Sequence, residues 1–204
     1  MYQFEMAEKG YNCWARKVKD LLFLYGFGFV WNMQTVGNES IFLSEFKQRT
    51  FDIGIQQWRM NLETFSKLDT YRLFKSDLLV EKYLSDVTID VFRRALCKFR
   101  VSNHSLHIES GRIQKLPRAN RLCVLCELNQ VETEFHFCLV CPLYCNLRKK
   151  FIPESYYKIP TLLKFTRLLT SENPHTLVNL SKYLFYSFRL RRPHLRSCVL
   201  NELL

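Results

Sequence analysis

Apolar residues recur along this chain at three- to five-residue steps, the spacing of helix faces rather than of strands. Trp14, Val18, Leu21, Leu22 and Tyr25 predict a first helix, with Asn12 as its cap and the Gly26-Phe27-Gly28 break as its end. A longer helix is predicted to start at Asn38 or Ser40 and to carry Phe42, Phe46, Phe51, Ile55, Trp58, Leu62 and Phe65. Tyr71 to Tyr83 reads as a further helical stretch, with Leu73, Phe74, Leu78 and Leu79. Asp86 or Thr88 is then expected to cap a helix over Val91–Val101. Periodicity lapses over residues 102–112 and in the loop bearing Pro117, where a turn or short strand is expected. Leu143–Phe151, Thr161–Leu169 and Pro174–Leu190 read as three more helices, set apart by Pro153, Pro160 and Pro174. Aromatic stripes at this spacing are expected to form helix core rather than to stack on bases.

The predicted fold class is therefore mainly α, a helical bundle. The 204 residues suffice for one large domain or two small ones. Apolar residues make up 48% of the chain, with 17 Phe and 10 Tyr, which excludes a disordered chain; six Gly and six Pro exclude collagen-like and low-complexity classes. The opening ten residues hold no basic segment followed by an apolar one, so no signal peptide is expected. The strongly apolar run Leu21–Trp31 is too short for a bilayer of about 30 Å, and Asn179 and Lys182 break Leu177–Phe188. An intracellular protein, nuclear or cytoplasmic and not secreted, is expected, with no membrane partner.

Charge divides the chain unevenly. Residues 1–90 hold 11 Lys+Arg against 12 Asp+Glu, a net of −1, and residues 91–204 hold 19 against 7, a net of +12. We expect a near-neutral helical region over 1–90 and a basic helical region over 91–204. Between Arg93 and Arg121 eight basic residues face one acid, Glu109. Such a block suits a polyanionic partner.

Five of the eight cysteines fall between Cys123 and Cys145. With no secretory signal, clustered cysteines beside a histidine point to metal rather than to disulfides. Cys123-x2-Cys126-x9-His136-x4-Cys141 supplies two ligands from each of two short segments, a closed set for which zinc is the best fit. Cys123-x2-Cys126-x11-Cys138-x2-Cys141 is a four-thiolate alternative. A small zinc module over 121–148, inserted between helices, is the expectation. His104 and His107, with only Glu109 nearby as an acid, are expected to contact phosphate or cap a turn, and His175 and His194 are assigned no role. No Gly-rich phosphate loop, Gly-x-Ser-x-Gly elbow, His-Glu-x-x-His helix or Asp pair for two magnesium ions occurs, so no enzyme is expected.

One stretch carries a resemblance. Phe92-Arg93-x-Ala95-Leu96-x2-Phe99-Arg100-x-Ser102-x-His104-x-Leu106-x-Ile108-Glu109-x-Gly111-Arg112 precedes Arg121-x-Cys123-x2-Cys126, Glu132-x-Glu134-x-His136-Phe137 and Cys141-Pro142-x-Tyr144-x2-Leu147-Arg148. This order resembles the region downstream of the reverse transcriptase domain in non-LTR (LINE-type) retrotransposon proteins, and Phe46-Lys47-Gln48-Arg49 with Trp58 also looks like that region. The resemblance implies a helical extension with a Cys-Cys-His-Cys zinc module that holds RNA or DNA near a polymerase and endonuclease. Carried over, the ligands are Cys123, Cys126, His136 and Cys141, which favours His136 over Cys138. The implied nucleic-acid surface is Arg93, Arg94, Lys98, Arg100, Arg112, Lys115, Arg118, Arg121, Arg148, Lys149 and Lys150. The gap between Cys126 and His136 is longer than in a retroviral zinc knuckle, and the polymerase aspartates are lacking, so any reverse transcription belongs to an upstream partner. The rival expectation is a helical protein-interaction domain, or an inert retroelement remnant, with a purely structural zinc.

Overall fold

The amphipathic stripes become helices, and in the computed structural model these are grouped into two units, Met1–Thr64 and Phe65–Leu204. Residues 2–202 are described, with side chains through residue 193, so the side chains of His194 and Cys198 lie outside the described ones. The charge step at residue 90 falls inside the second unit. Among the described residues the chain is mainly helical, and its one isolated β-bridge pairs Leu122 with Val131. No helix among them is long and apolar enough to cross a membrane.

The first unit contains α1 (Tyr2–Glu8), α2 (Trp14–Leu24), α3 (Gly28–Met33) and α4 (Glu39–Thr64). Its core is small: Ala7, Ala15, Leu22, Phe27 and Trp31. Trp31 stacks on Phe4 at 4.9 Å, and its indole N–H donates to Glu8 Oε1 at 2.8 Å. Trp14, expected in the core, is exposed, because Ala15 and Leu22 define the buried face of α2. Cys13 rather than Asn12 occupies the cap position of that helix. Gly26 ends it with a φ of +82°, a conformation that glycine adopts without steric cost. Of the two starts expected for α4, Asn38 caps the helix, its Oδ1 accepting the Ile41 N–H at 3.1 Å.

The second unit contains α5 (Asp69–Arg72), α6 (Tyr83–Asp86), α7 (Asp90–Arg100), α8 (His107–Ile113), α9 (Cys145–Phe151), α10 (Glu154–Tyr157), α11 (Leu162–Leu169) and α12 (Pro174–Glu202). Helix α12 is its spine. Leu177, Leu180, Tyr183 and Leu184 form its buried stripe, and it packs against α6, α7, α9 and α11. Leu96 and Phe99 of α7, Phe165 and Leu168 of α11, and Phe137 and Tyr144 of the intervening loop complete one continuous core. Thr161 caps α11 by accepting the Lys164 N–H at 3.2 Å.

Three local expectations are corrected. Residues 71–83 are not one helix but two short turns, α5 and α6, joined by an irregular segment. Ile89, with no side-chain cap, precedes α7 in place of Asp86 or Thr88. Residues 107–113 form α8 rather than a turn or strand, with Ile108 and Gly111 on its buried side.

Buried charge ties the loop between α8 and α9 to the spine. Glu132 is fully buried. Arg191 of α12 grips its carboxylate with both terminal nitrogens, one of them 2.7 Å from Oε2, and the His107 N–H donates to the same oxygen at 2.6 Å. Removing one member of such a pair strands a charge in a low-dielectric interior. Arg191→Met is therefore expected to lower stability by about 3–5 kcal/mol in urea denaturation, and adding Glu132→Gln should restore most of it.

Candidate metal centre

The loop that follows α8 doubles back at Asn129, a non-glycine residue with φ +51°, and the Leu122–Val131 bridge closes it. The Cys123 N–H donates to the Gln130 carbonyl at 2.8 Å, and the Glu132 N–H to the Arg121 carbonyl at 2.9 Å. This narrow hairpin carries Cys123 and Cys126. Arg121 clamps it to α8, donating to the carbonyls of Ile108 and Leu116 at 2.8 to 3.0 Å. The clamp needs Gly111, because a Cβ there would lie 2.7 Å from Arg121 Cγ.

The other two ligands come from a π-helical turn, His136–Val140, that ends at Cys141. Cys141 lies five positions after His136, one wide turn, and the Cys141 N–H returns to the His136 carbonyl at 2.8 Å. The four ligand atoms of Cys123, Cys126, His136 and Cys141 lie within 4.8 Å of one another, close enough to bind a metal ion. Cys126 Sγ stands 3.4 Å from His136 Nε2, against about 3.6 Å across a tetrahedral site with ordinary bond lengths. His136 Nδ1 donates to Gln130 Oε1 at 3.2 Å, which fixes the ring and leaves Nε2 for the ion. Cys138 is not in the cluster: it is fully buried in the core, and its carbonyl accepts from Arg148 Nε at 2.9 Å.

Buried polar groups hold this turn from outside. Arg148 also donates to the Cys141 carbonyl at 2.7 Å, and the Tyr183 hydroxyl to the Phe137 carbonyl at 2.8 Å. Glu134 accepts from Thr70 and Ser102, each at 2.9 Å, and its Oε1 lies 3.0 Å from His104 Nε2. Burial pushes this carboxyl up, but His104 and Thr70 outweigh it and hold the pKa below the ordinary value. His104, expected near phosphate, thus spends its Nε2 inside the protein, and His107 donates Nδ1 to the Leu122 carbonyl at 2.7 Å. Glu132 and Glu134 entered the sequence reading only as part of the resemblance, with no role assigned, and Arg191 was not singled out. The signal for the two acids is the pair itself, Glu132-x-Glu134, set between Val131 and Phe135 just before His136.

The eleven basic residues separate into two groups. Arg100 is 2% exposed and binds Glu81 at 2.7 Å and the Leu169 carbonyl; Arg148 is 5% exposed and holds the turn. Both are internal, so neither belongs to a nucleic-acid surface, and Arg121 is spent on the carbonyls of α8 and its neighbour. Arg112 pairs with Glu109 at 2.9 Å. Arg94, Lys98, Lys115, Arg118, Lys149 and Lys150 are exposed, and Arg93 half-buried. Arg93 and Arg94 flank Asp90, at 3.2 and 2.7 Å, and Arg118 meets Asp69 at 2.5 Å. Exposed pairs of this kind are weak and leave the cations open to a stronger anion.

Comparison with family models, with curated proteins and with solved structures returns no match. The donor set itself carries the chemistry. Three thiols and an imidazole with no fifth group make a closed site, suited to holding a fold rather than to activating water.

Without an ion Cys123 and Cys126 favour their protonated forms. A hydrogen bond with Cys141, then burial, pushes the Cys123 thiol up, and burial pushes the Cys126 thiol up. Metal binding must expel those protons, so affinity rises with pH and falls on acidification. With at least two protons expelled, competition against a chromophoric chelator should show affinity falling at least about a hundredfold per pH unit below neutrality, together with proton release into a weak buffer.

Proposed function

We propose that this chain is a non-catalytic, zinc-stabilised nucleic-acid-binding region that acts beside a separate reverse transcriptase or endonuclease. The observation that carries the reading is the grouping of exposed cations in the unit that holds the Cys-Cys-His-Cys cluster. Arg93, Arg94, Lys98, Lys115, Arg118, Lys149 and Lys150 remain accessible once the internal arginines are set aside. The resemblance of residues 92–148 to the segment downstream of non-LTR reverse transcriptases supports the choice of RNA or DNA as the partner.

Zinc is the ion we assign, because a thiolate-rich tetrahedral set favours it. Cys123, Cys126, His136 and Cys141 would hold it, and its contribution would be cohesion of a hairpin that leaves Val124 and Leu128 exposed. Elemental analysis of purified protein is expected to give one zinc per chain, and none after Cys126→Ser; zinc retained by that variant would refute the ligand set.

Phosphate contacts release counterions, so binding must weaken with salt. With about six contacts, affinity for RNA or DNA should drop roughly a thousandfold between 50 and 200 mM salt. Binding that ignores salt, or no binding at 50 mM, would overturn the nucleic-acid reading and favour a helical protein-interaction domain with a structural zinc.

A further inference from the structure

Helices α7 and α12 do not meet flush along their whole length. Between them runs a groove of about 570 Å³, the size of a site for a small organic ligand. Its rim carries Arg94 and Lys98 from α7, and Arg189 and Arg192 from α12. Among the described residues no acidic side chain lines it, and Asp90 meets Arg94 of the rim in a solvent-exposed pair. Its wall is aromatic. Phe185 packs edge-on against Phe92 at 5.2 Å and has the Arg189 guanidinium 5.5 Å from its ring centre. Phe188 stacks on Phe137 of the core at 4.7 Å. His104 closes one end; its Nε2 is held by Glu134, while its buried Nδ1 has no partner among the described residues.

Four cations around two phenyl rings ask for a ligand that is both anionic and flat. We propose that this groove seats an unpaired stretch of nucleic acid, with phosphates on Arg94, Lys98, Arg189 and Arg192 and a base against Phe185. The inference rests on the nucleic-acid reading above and extends it, because Arg189 and Arg192 lie outside the basic residues that the resemblance implies. Single strands are favoured over duplex because paired bases are stacked inward and cannot reach a concave aromatic wall. An acidic peptide would satisfy the cations but would leave the rings without a planar partner.

The test uses the full chain and fluorescence anisotropy with labelled oligonucleotides of about 12 nucleotides, single-stranded and duplex, at low salt. The groove variant is Lys98→Glu with Arg189→Glu, both exposed positions. Its charge-matched control is Lys158→Glu with Arg167→Glu, outside every basic residue invoked above. Circular dichroism and zinc content should match the parent for both. The parent is expected to prefer the single strand by about tenfold or more, and the groove variant to lose that affinity by about thirtyfold while the control loses less than about fivefold. An oligonucleotide bearing 4-thiouridine should cross-link to the α12 peptide that contains Phe185.

Equal losses in the two variants, equal binding of duplex, cross-links confined to other peptides, or full competition by poly-glutamate would each overturn the groove as the seat. Those outcomes leave the wider reading standing, since the parent still binds nucleic acid. If the parent binds neither single strand nor duplex, the wider reading fails, and the groove assignment fails with it.

Discussion

Two carboxylates two residues apart, Glu132 and Glu134, are buried in the same stretch of loop, and the second unit is organised by the need to satisfy them. An isolated carboxylate in an apolar interior is costly enough to be excluded unless donors surround it. Glu132 draws its donors from Arg191 on α12 and the backbone of α8; Glu134 draws its own from Thr70 on α5, Ser102 after α7 and His104. Six hydrogen bonds, two of them from Arg191, thus fix a loop with little regular structure against three helices and the segment between α7 and α8. That fixed loop is the platform for the ligands, since His136 follows Glu134 by two residues and Cys123 lies beside Glu132, with Sγ 3.7 Å from Oε1.

Much of this was legible in one dimension. The Cys-x2-Cys and His-x4-Cys spacings encode a hairpin and a single wide turn, both local features, and the ligand set read from them is the one that converges. The same locality explains α7, whose apolar steps lie within a few residues of one another, and α9 and α11, whose flanking prolines or caps do too. What could not be read was partnership at distance. Arg100 and Arg148 looked like the rest of a basic block, because Glu81 is 19 residues away and the carbonyls that bind Arg148 belong to a turn of unforeseen shape. Helix α8 was hidden for a related reason: polar His107 and Glu109 interrupt its apolar pattern, and their bonds to Glu132, Leu122 and Arg112 become visible only in three dimensions.

Net charge therefore overstated the basic surface and misplaced part of it. The half carrying +12 spends Arg100, Arg121, Arg148 and Arg191 on its own interior, where each guanidinium supplies several donors in a fixed plane. Cations left outside sit on α7, on the loop after α8, on α9 and α11 and at Lys158 after α10, with a further set on α12 that carries no cysteine or histidine motif to draw notice. Composition gives the sign of the field; burial decides which residues produce it.

The turn that carries His136 and Cys141 is physically continuous with the groove. Glu134 is two residues from the ligand His136, its carboxylate holds His104, and His104 closes the groove beside Phe188 at a ring separation of 6.1 Å. Phe137, which follows the ligand directly, stacks on that same Phe188. The position of the groove's aromatic wall is thus set by residues adjacent to the ligands on one side and by α12 on the other. A turn with no i→i+4 ladder has few bonds of its own to resist opening, so whatever fixes His136 and Cys141 also fixes the floor on which Phe188 and His104 rest.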